Sequence, residues 1–195
     1  MVSIVAPILA VVILISTTVA AAAVDVKAAV LRVDYPVLLP ISRFDLKRDD
    51  LGFAGAALAD EDNGTTGSFL GHSYETLTVA TSPEEADEAL DQILSQDVLL
   101  LVILARGDDL LRLTDAAAGA GALVLNAKAP EVALRDGQCR ANLLHITPSN
   151  VMMADAVAQF AVWKRWIEWF LVSGSNPADR ELAEAYRRAA TKFGA

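Results

Sequence analysis

The sequence predicts an α/β domain built around a mostly parallel β-sheet, and three observations support that fold class. Short apolar runs, typical of strands, alternate with longer segments whose apolar positions recur at helical spacing. Residues 98–104 are seven apolar residues in succession, a pattern typical of a central parallel strand covered on both faces. Later, residues 143–146, a helical segment and residues 167–172 predict a strand, a crossover helix and a second parallel strand.

The other strands and the first helix are predicted from alternation and spacing. Residues 28–35 are rich in Val and Leu, residues 74–80 alternate Thr with apolar side chains, and residues 123–125 form a short apolar run. Between the first two strands, a helix that starts near Leu51 is expected to end at Asn63-Gly64 and to be followed by a loop through Gly71.

Capping signals and apolar stripes predict four more helices. Ser82 is expected to cap the second, with Glu85 completing a capping box, and Ser149 is expected to cap the fourth. The third follows residues 106–109 and buries Leu110, Leu113, Ala117 and Ala120. The fourth is expected to bury Val151, Met152, Ala156, Val157, Phe160 and Ala161, and the fifth Leu182, Tyr186, Ala189 and Phe193.

The composition indicates a folded, acidic protein. Of 195 residues, 54% are hydrophobic and 21% are charged, which suits a globular domain rather than a disordered chain. The net charge is −9, and Lys and Arg form no extended cluster. This balance argues against a nucleic-acid partner and favours a small molecule or another protein.

The N-terminal residues predict export. Residues 4–15 form an apolar run, and the small residues 20–23 follow where a signal peptidase would cleave. Residues 1–23 are therefore interpreted as a signal peptide, with a mature chain that begins near Ala22 to Val24 in the periplasm. The alternative is an uncleaved anchor that extends to Val24.

Motifs for catalysis or cofactor binding are missing from the sequence. It contains neither a glycine-rich nucleotide loop nor a Gly-x-Ser-x-Gly elbow. His72 and His145 have no partner at metal-ligand spacing, and Cys139 has no neighbouring His. We therefore expect no catalytic residue, no metal site and no cofactor, and we expect the protein not to be an enzyme.

The ligand site is predicted from topology. In parallel α/β sheets, ligands bind at the carboxyl ends of the strands. Here those ends lead into residues 40–45, 105–109 and 126–128. The polar residues expected to touch a ligand are Ser42, Arg43, Arg106, Asp108, Asn126 and Lys128.

Several segments carry a family resemblance. They are residues 55–59 (GAALA), 62–67 (DNGTTG), 69–72 (FLGH), 144–149 (LHITPS), 163–166 (WKRW) and 179–190 (DRELAEAYRRAA). In this order, from residue 28 to the end, the chain resembles the type I, leucine-binding-like periplasmic binding proteins of ABC transporters. The resemblance implies a three-layer, flavodoxin-like parallel sheet for a first lobe at residues 24–147. Residues 148–195 would form the crossover and the incomplete beginning of a second lobe.

The resemblance also implies a function. It implies an extracytoplasmic solute-binding component that closes two lobes over a small ligand and presents it to a membrane permease. A narrower resemblance, which includes residues 139–145 (CRANLLH), is to a subgroup encoded with pyrroloquinoline-quinone-dependent alcohol dehydrogenase systems. Amino-acid binders of this family hold their ligand with Ser and Thr, whereas the corresponding loops here carry Arg106 and Lys128. A leucine-like ligand is therefore not expected, and an organic acid is an alternative.

The sequence is also compatible with two functions other than solute binding. An exported flavodoxin-like or hydrolytic enzyme could use the same sheet, and a ligand-sensing receptor domain would fit an uncleaved anchor. We also expect the chain to be a truncated version, or a split half, of a two-lobe protein about twice as long and to bind its ligand weakly or not at all. That expectation depends on the strand predicted for residues 167–172, which would have at most one neighbour.

Overall fold

The computed structural model describes residues 23–195, and its centre is a five-stranded parallel sheet. The strands are β1 (Asp25–Val33), β2 (Ser73–Thr81), β3 (Leu100–Leu104), β4 (Leu123–Asn126) and β5 (Leu143–His145). They lie in the order β2-β1-β3-β4-β5. This is the flavodoxin-like order, in which the chain leaves β1 first to one side and then to the other. The predicted α/β fold class is confirmed.

Within residues 23–195, five α-helices accompany the sheet. They are α1 (Ala54–Leu70), α2 (Ala86–Leu94), α3 (Gly107–Gly119), α4 (Asn150–Trp163) and α5 (Pro177–Phe193), with a short 3-10 helix at Val132–Arg135. No helix among the described residues is long and apolar enough to cross a membrane. The signal peptide predicted for residues 1–23 lies outside the described residues, apart from Ala23. The predicted boundary between lobes at residue 147 stays a prediction.

One face of the sheet carries the main core. The strand register places Ala29, Leu101, Val124 and Leu143 side by side. All four are buried, in one cluster with the apolar side chains of α2 and α3. On the opposite face Leu100 is 39% exposed and Leu144 is 51% exposed. The prediction that residues 98–104 are covered on both faces is therefore wrong for the first half of β3.

Helix α1 is longer than predicted. It continues through Asn63-Gly64 to Leu70 and ends at Gly71, whose left-handed φ of 71° suits glycine. The predicted loop after Gly64 is therefore wrong. Tertiary contacts explain the difference, because Asp60 on this helix accepts hydrogen bonds from the backbone and the side chain of Thr76 on β2. Gly67, about two turns further along the helix, is buried, and an added Cβ there would collide with the Tyr74 ring.

The start of α2 also differs from the prediction. The helix begins at Ala86 with Glu85 as its N-cap, and residues 83–85 form turns. Ser82 therefore does not cap the helix, and the predicted capping box is wrong. The buried stripe of Ala86, Leu90 and Ile93 is confirmed.

Helices α4 and α5 pack through small residues. Ala154 and Ala158 on α4 meet Ala185 and Ala189 on α5 in a buried cluster. The face predicted to be buried on α4 is mostly wrong, since its large side chains, Met152, Val157 and Phe160, are 55%, 48% and 51% exposed. Alanine allows two helix backbones to approach closely, so the small face rather than the large one lies in this contact.

Residues 167–172 do not form the predicted strand. Among the described residues this segment has no pairing partner, and it runs as irregular chain from α4 to α5. The indole of Trp169 packs against the α4 and α5 cluster, whereas Phe170 is 93% exposed. An apolar run predicts a strand only where a neighbouring strand can bond to it. The predicted unit of β5, α4 and a further parallel strand therefore lacks its third member here.

Ser149 caps α4 as predicted, and its removal should be measurable. It is 4% exposed, and its hydroxyl accepts a hydrogen bond from the Met152 backbone N–H at 3.3 Å. We expect Ser149→Ala to lower the free energy of unfolding by about 1 kcal/mol, measured by urea denaturation. Ser82→Ala is the matched control, because Ser82 caps no helix. Equal losses in the two variants would contradict this assignment of caps.

Candidate functional site

Three side chains meet at the carboxyl edge of the sheet. Tyr35 lies two residues after β1, Arg106 two residues after β3, and Lys128 two residues after β4. Because these strands are neighbours in the order β1-β3-β4, their carboxyl ends emerge side by side. The Arg106 guanidinium carbon lies 4.1 Å from the centre of the Tyr35 ring, and the Lys128 ammonium nitrogen lies 4.7 Å from it. We call these three residues the Tyr35 cluster.

The Tyr35 hydroxyl fixes the centre of the cluster. It donates a hydrogen bond to Asp109 Oδ2 at 2.6 Å and accepts one from the Arg106 backbone N–H at 2.9 Å. Burial and the bond to Asp109 raise the pKa of Tyr35 to about 12. The phenol therefore stays neutral at physiological pH, and its ring is held as a platform for the two cations.

Within the described part of the chain, the two cations of the Tyr35 cluster have no carboxylate partner of their own. Among residues 23–195, neither the Arg106 guanidinium nor the Lys128 ammonium forms an ion pair. Partial burial and the positive charge of Arg106 lower the pKa of Lys128. Two cations that repel each other in this way create an electrostatic site for a negative charge.

The nearest carboxylates are already engaged. Asp109 accepts the Tyr35 hydroxyl and also an Arg112 guanidinium N–H at 2.9 Å. Asp34 accepts from Arg32 at 2.9 Å and from the Lys47 ammonium. Although burial opposes the change, these hydrogen bonds lower the pKa of both Asp34 and Asp109 below the usual value. Both groups are therefore ionised and paired at neutral pH.

Asn126 shapes the turn that carries Lys128. It is completely buried, and its side-chain oxygen accepts the backbone N–H groups of Lys128 at 3.0 Å and of Ala129 at 2.8 Å. Its amide nitrogen donates to the Ala129 carbonyl at 2.7 Å and lies 3.0 Å from His145 Nδ1. Burial, followed by the charge of Arg135, lowers the pKa of His145, so the ring is neutral and can accept this hydrogen bond.

The predicted site residues fall into two groups. Arg106, Asn126 and Lys128 come together, with Asn126 beneath the cluster instead of at its surface. Asp108 is exposed in the first turn of α3. Ser42 and Arg43 lie in the exposed loop after β1, where their contacts are to their own turn: Ser42 Oγ accepts the Phe44 N–H, and Arg43 lies 5.6 Å from the Phe44 ring centre.

Sequence reasoning misses two residues of the site, Tyr35 and Asp109. It places Tyr35 in the first strand, but β1 ends at Val33, so the residue belongs to the edge. A bulky aromatic directly before Pro36 is a signal that could place the end of the strand earlier, because proline breaks the strand that precedes it. Asp109 has no such signal, since its role depends on the geometry of α3 relative to Tyr35.

The arrangement suits binding of an anion rather than covalent chemistry. A guanidinium and an ammonium can hold carboxylate or phosphate oxygens through charge-assisted hydrogen bonds. No group of three or more His, Cys, Asp or Glu side chains among the described residues could hold a metal ion. The Tyr35 cluster is an open surface at the carboxyl edge of the sheet. A closed pocket there would need a second protein surface opposite the cluster.

Several solved structures that are similar to this chain are named as binding proteins. A branched-chain amino acid ABC transporter periplasmic ligand-binding protein from Burkholderia xenovorans matches with a TM-score of 0.68 at 18% identity, covering 87% of this chain and 44% of that one. An ABC transporter substrate-binding protein from Desulfitobacterium hafniense, in complex with Leu, matches with a TM-score of 0.63 at 17% identity. The match covers 87% of this chain and 48% of that one. A leucine-, isoleucine-, valine-, threonine- and alanine-binding protein from Brucella ovis matches with a TM-score of 0.65 at 15% identity. The match covers 87% of this chain and 44% of that one.

These similarities establish the fold alone: the chain has the flavodoxin-like α/β fold found in part of each of these binding proteins. No protein-family model matches the chain, and a comparison with curated proteins finds no match either. The chain spans about half the length of the structures it matches, from 44% to 48% for those above.

Proposed function

We propose that the chain acts in an ABC transporter as an extracytoplasmic solute-binding component and performs no catalysis. The observation that carries the proposal is the Tyr35 cluster, which places two unpaired cations at the carboxyl edge of a parallel sheet. This edge is where α/β sheets bind ligands. The similar structures are named as ABC transporter substrate-binding proteins, which supports the same role for this chain.

The proposed site comprises Arg106 and Lys128 as direct ligands of a small polar solute, and Asn126 as the residue that positions Lys128. Ser42, Arg43 and Asp108, which are also predicted from the sequence to touch the ligand, would border the site in this proposal. In this proposal a second lobe closes over the solute and the closed form is delivered to a membrane permease. The solute is an amino acid-like compound or another organic acid.

The proposal includes export to the periplasm. It is supported by the apolar residues 4–15 and the small residues 20–23. The relation to the subgroup encoded with quinone-dependent alcohol oxidation systems is also part of the proposal, and it is supported by the sequence resemblance alone. We expect the N-terminus of the exported protein to lie near Ala22 to Val24. Soluble periplasmic protein that retains Met1 would contradict the signal assignment.

Binding without turnover is the decisive test of the function. The isotope-labelled 195-residue chain is titrated with a panel of amino acids and organic acids while backbone amide NMR signals are followed. We expect at least one solute to shift the signals of Arg106 and Lys128 saturably, with an affinity in the millimolar range because one lobe supplies only part of the contacts. Each solute should be recovered chemically unchanged after prolonged incubation.

Two results would contradict this proposal. One is a panel in which no solute shifts the signals at the carboxyl edge of the sheet. The other is consumption of a solute or of a generic ester, which would indicate an enzyme on the same fold.

A further inference from the structure

The charges around the Tyr35 cluster are unbalanced. The chain as a whole carries a net charge of −9, yet the two side chains that face the Tyr35 ring are both cations. Other cations that pack against the sheet and its helices pair with a carboxylate, as Arg112 does with Asp109 and Arg140 does with Asp115. Arg106 and Lys128 form no such pair within residues 23–195. Their positive charge is therefore available to a ligand.

The cluster offers little to a positively charged group. Once a second surface closes over the ligand, the α-ammonium of an amino acid needs a free carboxylate or several carbonyl acceptors, because a buried ammonium without partners is costly. Asp109 is occupied by Tyr35 and Arg112, and Asp34 is occupied by Arg32 and Lys47. The Tyr35 hydroxyl is itself used, as donor to Asp109 and as acceptor from the Arg106 N–H.

Asp108 does not change this balance. It is exposed in the first turn of α3, and among residues 23–195 it forms no ion pair with Arg106 or Lys128. The charged groups that act most on Lys128 are Arg106, Lys47, Asp34 and Arg32, and Asp109 at the Tyr35 hydroxyl is a second anion, which Arg112 already pairs. A ligand that rests on the Tyr35 cluster therefore meets an excess of positive charge.

We propose that the solute bound at the Tyr35 cluster is a dianion without a compensating positive charge, held by Arg106 and Lys128, and not a zwitterionic amino acid. This inference rests on the proposed function and narrows its ligand class. The Arg106 guanidinium matches a planar oxyanion through paired hydrogen bonds, and the Lys128 ammonium supplies a second point charge. A dicarboxylate and a phosphate group share this chemistry.

The test compares three probes on the 195-residue chain by amide NMR titration: succinate, inorganic phosphate and L-leucine. Ionic strength is held constant with sodium chloride, so that general screening does not mimic binding. We expect succinate, phosphate or both to shift the signals near Arg106 and Lys128 saturably, and L-leucine to bind at least about tenfold more weakly than the better of the two. Comparison of succinate with phosphate then identifies which dianion the site prefers.

Variants show whether the shifts arise at the cluster. Arg106→Ala and Lys128→Ala should each weaken dianion binding by at least about fivefold, because each removes one charge-assisted contact. Arg187→Ala is the charge-matched control, since Arg187 lies in an exposed pair with Glu184 on α5. It should leave binding unchanged. The dispersion of each NMR spectrum shows that the variant is folded.

The outcomes separate the ligand class from the function. The inference that the solute is a dianion is wrong if L-leucine binds at the carboxyl edge of the sheet as tightly as succinate or phosphate does. It is also wrong if Asp108→Ala weakens the binding of these probes. In both cases the proposed solute-binding function stands. If dianions bind but Arg106→Ala and Lys128→Ala both bind them with unchanged affinity, the site lies elsewhere and the inference fails. If none of the three probes binds, the inference also fails, and the wider solute panel decides the proposed function separately.

Discussion

Replacing Leu101 by Ala is expected to lower the free energy of unfolding by about 2–5 kcal/mol. Leu101 lies at the middle of the sheet on β3, is completely buried, and shares its cluster with buried side chains of α2 and α3. Truncation to Ala removes apolar surface from the core and leaves a cavity that close-packed neighbours fill only in part. Urea denaturation, followed by far-ultraviolet circular dichroism, measures the loss.

Leu100 provides a matched control within the same strand. It precedes Leu101, so its side chain points to the opposite face of the sheet, where it is 39% exposed. Leu100→Ala should therefore cost about 1 kcal/mol or less, because partly exposed apolar surface is lost and no enclosed cavity forms. If both variants lose the same free energy of unfolding, the face of β3 that carries Leu100 is as well covered as the core face. The partial exposure assigned to Leu100 is then wrong.

The sheet can be predicted from the sequence because its signals are local. All five strands are found, since short apolar runs such as residues 98–104 are bounded by turn residues, and parallel strands separated by helices predict the layered fold. The predicted strand ends are less accurate, as for Tyr35, which lies beyond the end of β1. The fold class is therefore accessible from the sequence, while the exact edge of the sheet is not.

The errors fall where tertiary contacts decide the structure. Asn63-Gly64 is a good local stop signal, but α1 continues because Asp60 and Gly67 fit against β2. The large side chains of α4 suggest the wrong buried face, since Ala158 and its neighbours pack closely against α5. Residues 167–172 have strand composition, yet a strand also needs a partner that sequence pattern cannot supply.

Part of the candidate site can be predicted from the sequence by the same reasoning. Topology alone brings Arg106 and Lys128 together, because adjacent parallel strands deliver their following residues to one edge. Ser42 belongs to a longer loop, whose path over the surface does not follow from strand order. The Tyr35 ring, which unites the two cations, depends on the exact end of β1 and on the hydrogen bond to Asp109.

Replacing Asn126 by Ala is expected to lower the free energy of unfolding by about 3 kcal/mol and to weaken dianion binding. The Asn126 side chain accepts two backbone N–H groups and donates to the Ala129 carbonyl, all at 3.0 Å or less. Alanine leaves these groups without partners in a buried turn, and each unsatisfied group costs about 1–3 kcal/mol. The turn that holds Lys128 loosens at the same time, so both charges no longer face one ligand. Urea denaturation measures the loss of stability, and the amide NMR titration measures the loss of binding.

Asn63→Ala is the matched control, since Asn63 is exposed on α1 and alanine favours a helix more than asparagine does. It should leave stability unchanged or slightly higher. Asn126→Asp, studied at pH 8, separates the acceptor role of the Asn126 side chain from its donor role. The carboxylate keeps both acceptor bonds but cannot donate to the Ala129 carbonyl or to neutral His145 Nδ1. Because both ionising a carboxyl group at this buried position and keeping it protonated at pH 8 cost free energy, Asn126→Asp should destabilise the protein by at least as much as Asn126→Ala does. A stability equal to that of the unmodified protein in both Asn126 variants would show that the turn does not depend on this side chain, and Lys128 would then need another explanation for its position.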